Sequence, residues 1–351
     1  MSKSKGTSSK VSSKVSSKVS SKVSSKTSNL DISLKLISHT KRSEWKSSSL
    51  EVEFSGEDLN FKIINTLSRV CSNNIPTYAF PPQLINIESN TSAAFDSQYL
   101  QLRLSQLPIY DIDLNLSHID DSYVKDIIYE DPNRSKHPLE KDIKLYINEH
   151  NTTNQISYVS TNNIRYYIDG EQSQPYDKNY PILITKLRPN DSFKCTMTAA
   201  LGTGEVHTIW RAASNAYALY DDSKYNLTVN SRGQLSEIDI LIKASEHILK
   251  RLSNIKTYFN SKVKEGLIND EPQLLFIIDG EDHTMGEIIN YEFQSHPNLS
   301  SGVSKPDLLI KSITFKIVAE ESSSIIVSMN ECFDKLTQKF ELILEESKKI
   351  S

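Results

Sequence analysis

One order of residues occurs twice in this chain. Gly56-Glu57-Asp58, four residues and then Ile63-Ile64-Asn65 returns as Gly280-Glu281-Asp282, five residues and then Ile288-Ile289-Asn290. Each copy follows an alternating run that reads as a strand and opens a stretch with apolar residues at helical spacing. Each half then closes on a long amphipathic pattern. In the first it is Leu235, Ile238, Leu241, Ile242, Ile248, Leu249, Leu252, Ile255 and Phe259; in the second, Met329, Cys332, Phe333, Leu336, Phe340 and Ile343. The triplets alone would be weak in a chain rich in isoleucine and asparagine, but the shared context predicts a pseudo-duplicated module.

The elements around the echo are legible one by one. Asp31 to Leu36 and Leu50 to Phe54 alternate polar and apolar residues, and Ser55-Gly56 is a turn signal, so the two runs predict an antiparallel pair. Glu57-Asp58 suit a helix N-terminus, and Leu59, Ile63, Ile64, Leu67, Val70 and Cys71 lie on one face until Asn73-Asn74 and Pro76 stop the helix. Short strands and turns follow, with Gln83 to Glu88 extended and a helical turn at Tyr99 to Leu104. Residues 110–181 shift toward Asp, Asn, Tyr and Ile and are punctuated by Pro132, Pro138 and Gly170, which predicts an inserted subdomain, mainly irregular or β. Strand signals return at Ile182 to Leu187 and Phe193 to Met197, and the long helix runs to about Lys264.

The polar stretch 265–272 is the best internal boundary. Beyond it come a strand (Leu274 to Ile278), a turn at Asp279-Gly280, a helix (Thr284 to Gln294), a strand (Ile310 to Val318) and the closing helix. The expectation is an α+β fold: a larger domain over 29–109 and 182–264, the 110–181 insert, the linker, and a smaller domain over 273–351.

Composition limits the function. Residues 1–28 hold seven lysines and no acid, while the whole chain has a net charge of -4, so the remaining residues carry 33 basic against 44 acidic groups, net -11. An acidic body argues against a duplex-binding surface. The Val-Ser-Ser-Lys repeat from Val11 to Lys26 has too little apolar surface to offset chain entropy and reads as a disordered tail. That tail offers weak attraction to polyanions or, more blandly, solubility. No run of about 18 apolar residues occurs, and no apolar segment follows the first lysines, so neither a membrane span nor a secretory signal is expected. Cys71, Cys195 and Cys332 stand far apart, which predicts buried thiols with no zinc knuckle or disulfide framework.

Three blocks of residues carry a family resemblance. Ser55-Gly56-Glu57-Asp58, Asn65-Thr66-Leu67-Ser68-Arg69-Val70 and Ile75-Pro76-Thr77 resemble the dimerisation motif of the bacterial RNA polymerase α subunit and of the third-largest subunit of eukaryotic RNA polymerase II. Lys186-Leu187-Arg188-Pro189, then Gly202-Thr203-Gly204-Glu205-Val206-His207 and Trp210, resemble that family's Leu-Arg-Pro and Gly-x-Gly-x-x-His blocks. Gly280-Glu281-Asp282-His283-Thr284-Met285-Gly286-Glu287 is similar to the Glu-Asp-His-Thr-Leu-Gly-Asn signature of the small α-like partner. The resemblance spans roughly 30–110, 182–262 and 273–348 and, with both partners in one chain, is closest to the arrangement in large nucleocytoplasmic DNA viruses.

The resemblance implies two α-subunit-type dimerisation modules paired as an intramolecular pseudo-heterodimer. It implies a non-catalytic platform of a DNA-directed RNA polymerase on which the two largest subunits, and small subunits beside them, assemble. DNA and RNA would be met only through the complex. Ile63, Leu67, Val70, Met285, Ile288, Ile289, Phe293, Phe333, Leu336 and Phe340 are then the pairing residues. Asn65, Arg69, Arg188, Gly202, Gly204, His207 and Trp210 face partners. A viral chain would work in the virion and the host cytoplasm, and a cellular one in the nucleus or cytoplasm.

Each assignment has a plainer alternative. Arg69 matches the second arginine of the family's pair while Ser68 stands at the first, and an ordinary surface arginine reads almost as well. Trp210 reads equally well as core. The Gly202 loop lacks the third glycine and the following helix of a dinucleotide fingerprint. Asp282-His283-Thr284 at a helix start reads as a cap rather than a metal or catalytic cluster. No cofactor or metal is expected: relatives that bind zinc or an iron-sulfur cluster use clustered cysteines, which 110–181 lacks, and His118, His137 and His150 are dispersed. No catalytic residues stand out, which leaves a free-standing nucleic-acid-binding protein acting through its basic tail as the alternative to the platform.

Overall fold

The computed structural model describes residues 30–41, 48–92, 95–110, 112–120, 123, 136–221, 224–320 and 324–350; the Val-Ser-Ser-Lys repeat lies outside them. The fold is α+β, with antiparallel sheets and five helices among the described residues.

The predicted strand pair is β1 (Ser33–Thr40) and β2 (Ser49–Ser55), joined with Leu34 opposite Phe54 and Leu36 opposite Val52. Leu50, Val52 and Phe54 are buried while the glutamates between them are not, so alternation has become a core-facing side. Helix α1 (Phe61–Asn73) begins later than the acids at 57–58 suggested, because Asn60 is the cap: its side chain accepts from the Ile63 N–H at 3.0 Å. Asp58 is occupied elsewhere, accepting the Asp31 N–H at 2.9 Å. Gly56, at φ 134°, passes so close to the chain that a Cβ there would lie 2.0 Å from the Asp31 carbonyl oxygen.

After α1 come β3 (Thr77–Ala79), β4 (Ile85–Asn90), α2 (Ser97–Ser105), β5 (Ile143–His150), β6 (Ser157–Ser160), β7 (Arg165–Ile168), β8 (Glu171–Ser173), β9 (Leu183–Leu187), β10 (Ser192–Thr198) and β11 (Ala200–Gly202). Five of these form one sheet in the order β4-β10-β5-β7-β8, while β11 pairs with β3 and β6 with β9. The 110–181 stretch therefore shares its sheet with β4 and β10, which lie on either side of it in sequence.

The hairpin β12 (Ala213–Asp221) and β13 (Lys224–Ser231) returns to the first sheet, completing the order β1-β2-β13-β12. From it α3 (Glu237–Lys264) departs, capped by the Ser236 hydroxyl on the Asp239 N–H at 3.1 Å, with acids in its first turn and lysines in its last. The second half holds β14 (Gln273–Asp279), α4 (His283–Gln294), β15 (Leu299–Ser304), β16 (Ser312–Ala319) and α5 (Ile325–Ile350).

The two halves share one topology. In the first, β2 leads to α1, then a hairpin leads to α3, and the sheet runs β2-β13-β12; in the second, β14 leads to α4, then a hairpin leads to α5, and the sheet runs β14-β16-β15. Residues 74–212 stand between helix and hairpin in one half, and only 295–298 in the other.

Helices bind the halves together. α1 packs on α4: the Lys62 ammonium lies 2.7 Å from the Glu287 carboxylate and the Thr66 hydroxyl donates to the Thr284 carbonyl at 3.3 Å. α3 and α5 run antiparallel. Glu246 meets Lys348 at 3.8 Å, Lys256 pairs with Asp334, and the Asn260 side chain donates to Asn330 at 3.3 Å. Beneath these polar pairs Phe259 of α3 enters the second half's core, its ring centroid 5.4 Å from that of Phe276 and 5.9 Å from that of Phe333. Phe293 and Phe333, both expected at the pairing surface, meet each other inside the second half at 5.5 Å. All ten pairing candidates are buried.

Candidate functional site

The sequence candidates on α1 occupy its outer face. Asn65 and Arg69, one helical turn apart, are exposed, while Ile63, Leu67 and Val70 point inward. Among the described residues no hydrogen bond or ion pair engages the Arg69 guanidinium. Below it sits the start of α4, where Asp282 accepts the Thr284 N–H at 2.8 Å as the cap. Burial pushes the Asp282 carboxyl up. The Thr284 N–H and hydroxyl, with the charges of Arg251 and Arg69, outweigh that and hold it below the usual carboxylate range.

The glycine loop closes against the end of the same helix. A Cβ on Gly204 would lie 2.9 Å from the Ser72 carbonyl oxygen and 3.0 Å from Asn73 Cα, so only glycine lets the loop approach this closely. The Glu205 N–H donates to the Asn73 carbonyl at 3.0 Å, and the Glu205 carboxylate takes Asn74 Nδ2 at 2.6 Å and Lys311 Nζ at 2.5 Å. Glu205 thus ties α1 of the first half to the β15–β16 connection of the second. The sequence block contained Glu205 without marking it, because its partners lie 131 and 106 residues away.

Trp210 belongs to the core. It is 1% exposed, and its indole N–H donates to the Ala200 carbonyl at 2.8 Å. Gly202 is buried beneath it, where a Cβ would come within 2.7 Å of the indole ring. Of the two readings left open for Trp210, the structure gives the packed one, and Gly202 supports the loop from below instead of facing outward. His207 is exposed; its Nδ1 accepts the Ile209 N–H at 3.2 Å and caps the turn Thr208–Trp210. The Arg232 guanidinium donates to the Thr208 and Ile209 carbonyls at 2.8 and 3.0 Å and holds that turn in place.

Arg188 is not gathered with the others. It lies in the turn before β10, where its N–H donates to Asp191 at 2.9 Å, and the seven residues of β10 carry the chain about 20 Å away before the glycine loop begins.

No family model matches this chain. A protein of Acanthamoeba polyphaga mimivirus carrying the provisional name of a DNA-directed RNA polymerase subunit is 26% identical over 339 residues, which is 90% of this chain and 93% of that one. The chain is related to a viral RNA polymerase subunit.

In this relative of a polymerase subunit, several features that suggest chemistry in sequence are occupied structurally. Burial pushes the thiols of Cys71, Cys195 and Cys332 up to about 12, so none is a thiolate at neutral pH. The His118 and His247 Nδ1 atoms lie 3.1 Å apart, joining the segment before residue 120 to α3, while His137 packs edge-on against Tyr123. Glu281, the acid of the second echo, is buried and receives the Arg251 guanidinium through Nε at 3.0 Å and a terminal nitrogen at 2.8 Å. That forked pair between α3 and the turn before α4 escaped sequence reading, since an isolated arginine in an amphipathic helix looks like any exposed one.

Among the described residues, no helix is long and apolar enough to cross a membrane.

Proposed function

We propose that this chain is a non-catalytic assembly platform of a multisubunit DNA-directed RNA polymerase. In it two α-like modules are paired within one polypeptide and dock the two large catalytic subunits. The modules are the larger one over 29–109 and 182–264 and the smaller one over 273–351, with 265–272 between them. The single observation that carries the reading is the repeated topology, strand, helix, hairpin and long helix, with the two copies packed through α1 on α4 and α3 on α5. Similarity over 90% of the chain to a viral protein provisionally named as a polymerase subunit supports it independently.

Covalent linkage makes pairing intramolecular. A short linker gives an effective concentration in the millimolar range, and the ratio of the two modules is fixed at one to one. The outer face of α1 with the glycine loop is the docking surface. Asn65 and Arg69 supply donors, and His207 stands on a loop braced by Gly204, Glu205 and Arg232. An arginine fork suits a carboxylate or carbonyl cluster on a large subunit. Arg188, apart from this face, is assigned to a different partner contact. The platform works in the virion and the cytoplasm of an infected cell, and it reaches DNA and RNA through the assembled enzyme.

Co-expression with the two largest polymerase subunits tests this. The chain is expected to co-purify with both in equal amounts, and Arg69→Ala to weaken recovery while leaving the chain's own thermal unfolding unchanged. Wild-type chain that fails to associate with either subunit contradicts the platform.

A further inference from the structure

The connection from β15 to β16 ends in three consecutive aliphatic side chains that the fold does not cover. Leu308 is 81% exposed, Leu309 95% and Ile310 57%. Single exposed leucines are ordinary on a protein surface, but three in a row at a loop tip form a compact apolar patch.

The tip is held in position at its base. The Lys311 carbonyl accepts the Gly280 N–H at 2.7 Å, which seats the loop on the turn that opens α4. The Lys311 ammonium meets Glu205 at 2.5 Å, and through Glu205 the loop is tied to Asn74 at the end of α1. Near the tip, Asp307 accepts the Leu309 N–H at 2.8 Å. Val206, next to Glu205, is 41% exposed, so the glycine loop to which Lys311 is bound also presents an apolar side chain. The base of the loop is thus tied to the glycine loop that carries His207 and to the turn whose Asp282 senses the charge of Arg69.

We propose that Leu308, Leu309 and Ile310 form an apolar plug for the same large protein subunit that docks on the Arg69 face, entering a hydrophobic pocket on that partner. This rests on the platform reading. A protein suits the patch better than a lipid surface does. The body of the chain is acidic, net -11 outside the lysine-rich tail, and around the tip Lys305 and Lys311 are balanced by Asp307 and Glu205, so this face lacks the basic surplus that draws a protein to an anionic bilayer. An aliphatic anchor with charged and polar groups beside it, here Asp307 and the Lys311–Glu205 pair, is the usual composition of a protein interface.

The test compares the full-length wild-type chain with a variant carrying Leu308→Ser, Leu309→Ser and Ile310→Ser, titrated against the co-expressed pair of large subunits. Because the three side chains touch solvent, both forms are expected to unfold at the same temperature. The variant should bind at least about tenfold more weakly, the loss expected when even one buried aliphatic side chain is removed, and residues 305–311 should gain hydrogen-exchange protection in the wild-type complex. Equal affinity of the two forms, with the wild type binding normally, overturns the plug and leaves the platform standing. Wild-type chain that does not bind the large subunits removes both. Sedimentation with phosphatidylserine vesicles that is lost in the variant would assign the tip to a membrane and also overturn the proposal.

Discussion

Lys62 and Glu287 immediately precede Ile63-Ile64-Asn65 and Ile288-Ile289-Asn290, and their side chains meet at 2.7 Å. A position in contact with its own counterpart marks a two-fold relation, so a pseudo-two-fold axis passes between these two residues. Opposite charges there favour pairing of unlike modules, since a copy of either module against itself would face like with like.

Glu287→Lys places two ammonium groups at the axis. The pair is partly exposed, so the expected cost is about 0.5–1 kcal/mol. The swap Lys62→Glu with Glu287→Lys restores most of it. Urea unfolding of the two single variants and the double variant measures the coupling; additive losses in the double variant would show that the charges do not sense each other.

The forked pair between Arg251 and Glu281 is the buried counterpart. Their side chains are each only 10% exposed. Removing one partner strands a buried charge, so Arg251→Met is expected to cost about 3–5 kcal/mol, whereas replacing both by apolar residues costs far less. Denaturant unfolding distinguishes the two outcomes through a shift in midpoint at constant slope.

His247 gives the fold a pH dependence of defined sign. Burial, then the charge of Arg251 and the ring of His118, hold its imidazole well below the ordinary 6.5. The unfolded chain therefore binds a proton at a higher pH than the folded one. Stability from this residue is complete above about pH 6.5 and is lost as pH falls below it, with a slope approaching 1.4 kcal/mol per unit. Comparing unfolding at pH 7.5 and 5.5 should show the loss, and His247→Phe should reduce it. A variant with the wild-type slope would assign the effect to other groups.

Much of the fold was legible because its signals are local. The β2 alternation, the stripe through Ile63, Leu67 and Val70, and the long apolar faces of α3 and α5 each lie within a few turns or a single strand. What escaped has no such signature. β12 carries exposed tyrosines and leucine at Tyr217, Leu219 and Tyr220 along a sheet edge, and β15 reads Leu-Ser-Ser-Gly-Val-Ser, so neither shows a clean two-residue period. In the candidate site, Asn65 and Arg69 came from the motif they match, and the apolar stripe through Ile63, Leu67 and Val70 leaves both on the outer face. Trp210 could not be placed from sequence, because its packing depends on Gly202 and on the Ala200 carbonyl across a turn. Glu205, Lys311 and Phe259 act across the boundary between the halves, where no sequence period reaches.

Under the proposed function both α-like modules of a polymerase reside in this one chain. The decisive measurement is the subunit composition of transcriptionally active enzyme, purified through its largest subunit and analysed by quantitative mass spectrometry. The expected result is one copy of this chain per largest subunit, with no separate small α-like protein. Active enzyme that lacks the chain, or that contains two copies of it paired through their first halves, would overturn this fused arrangement.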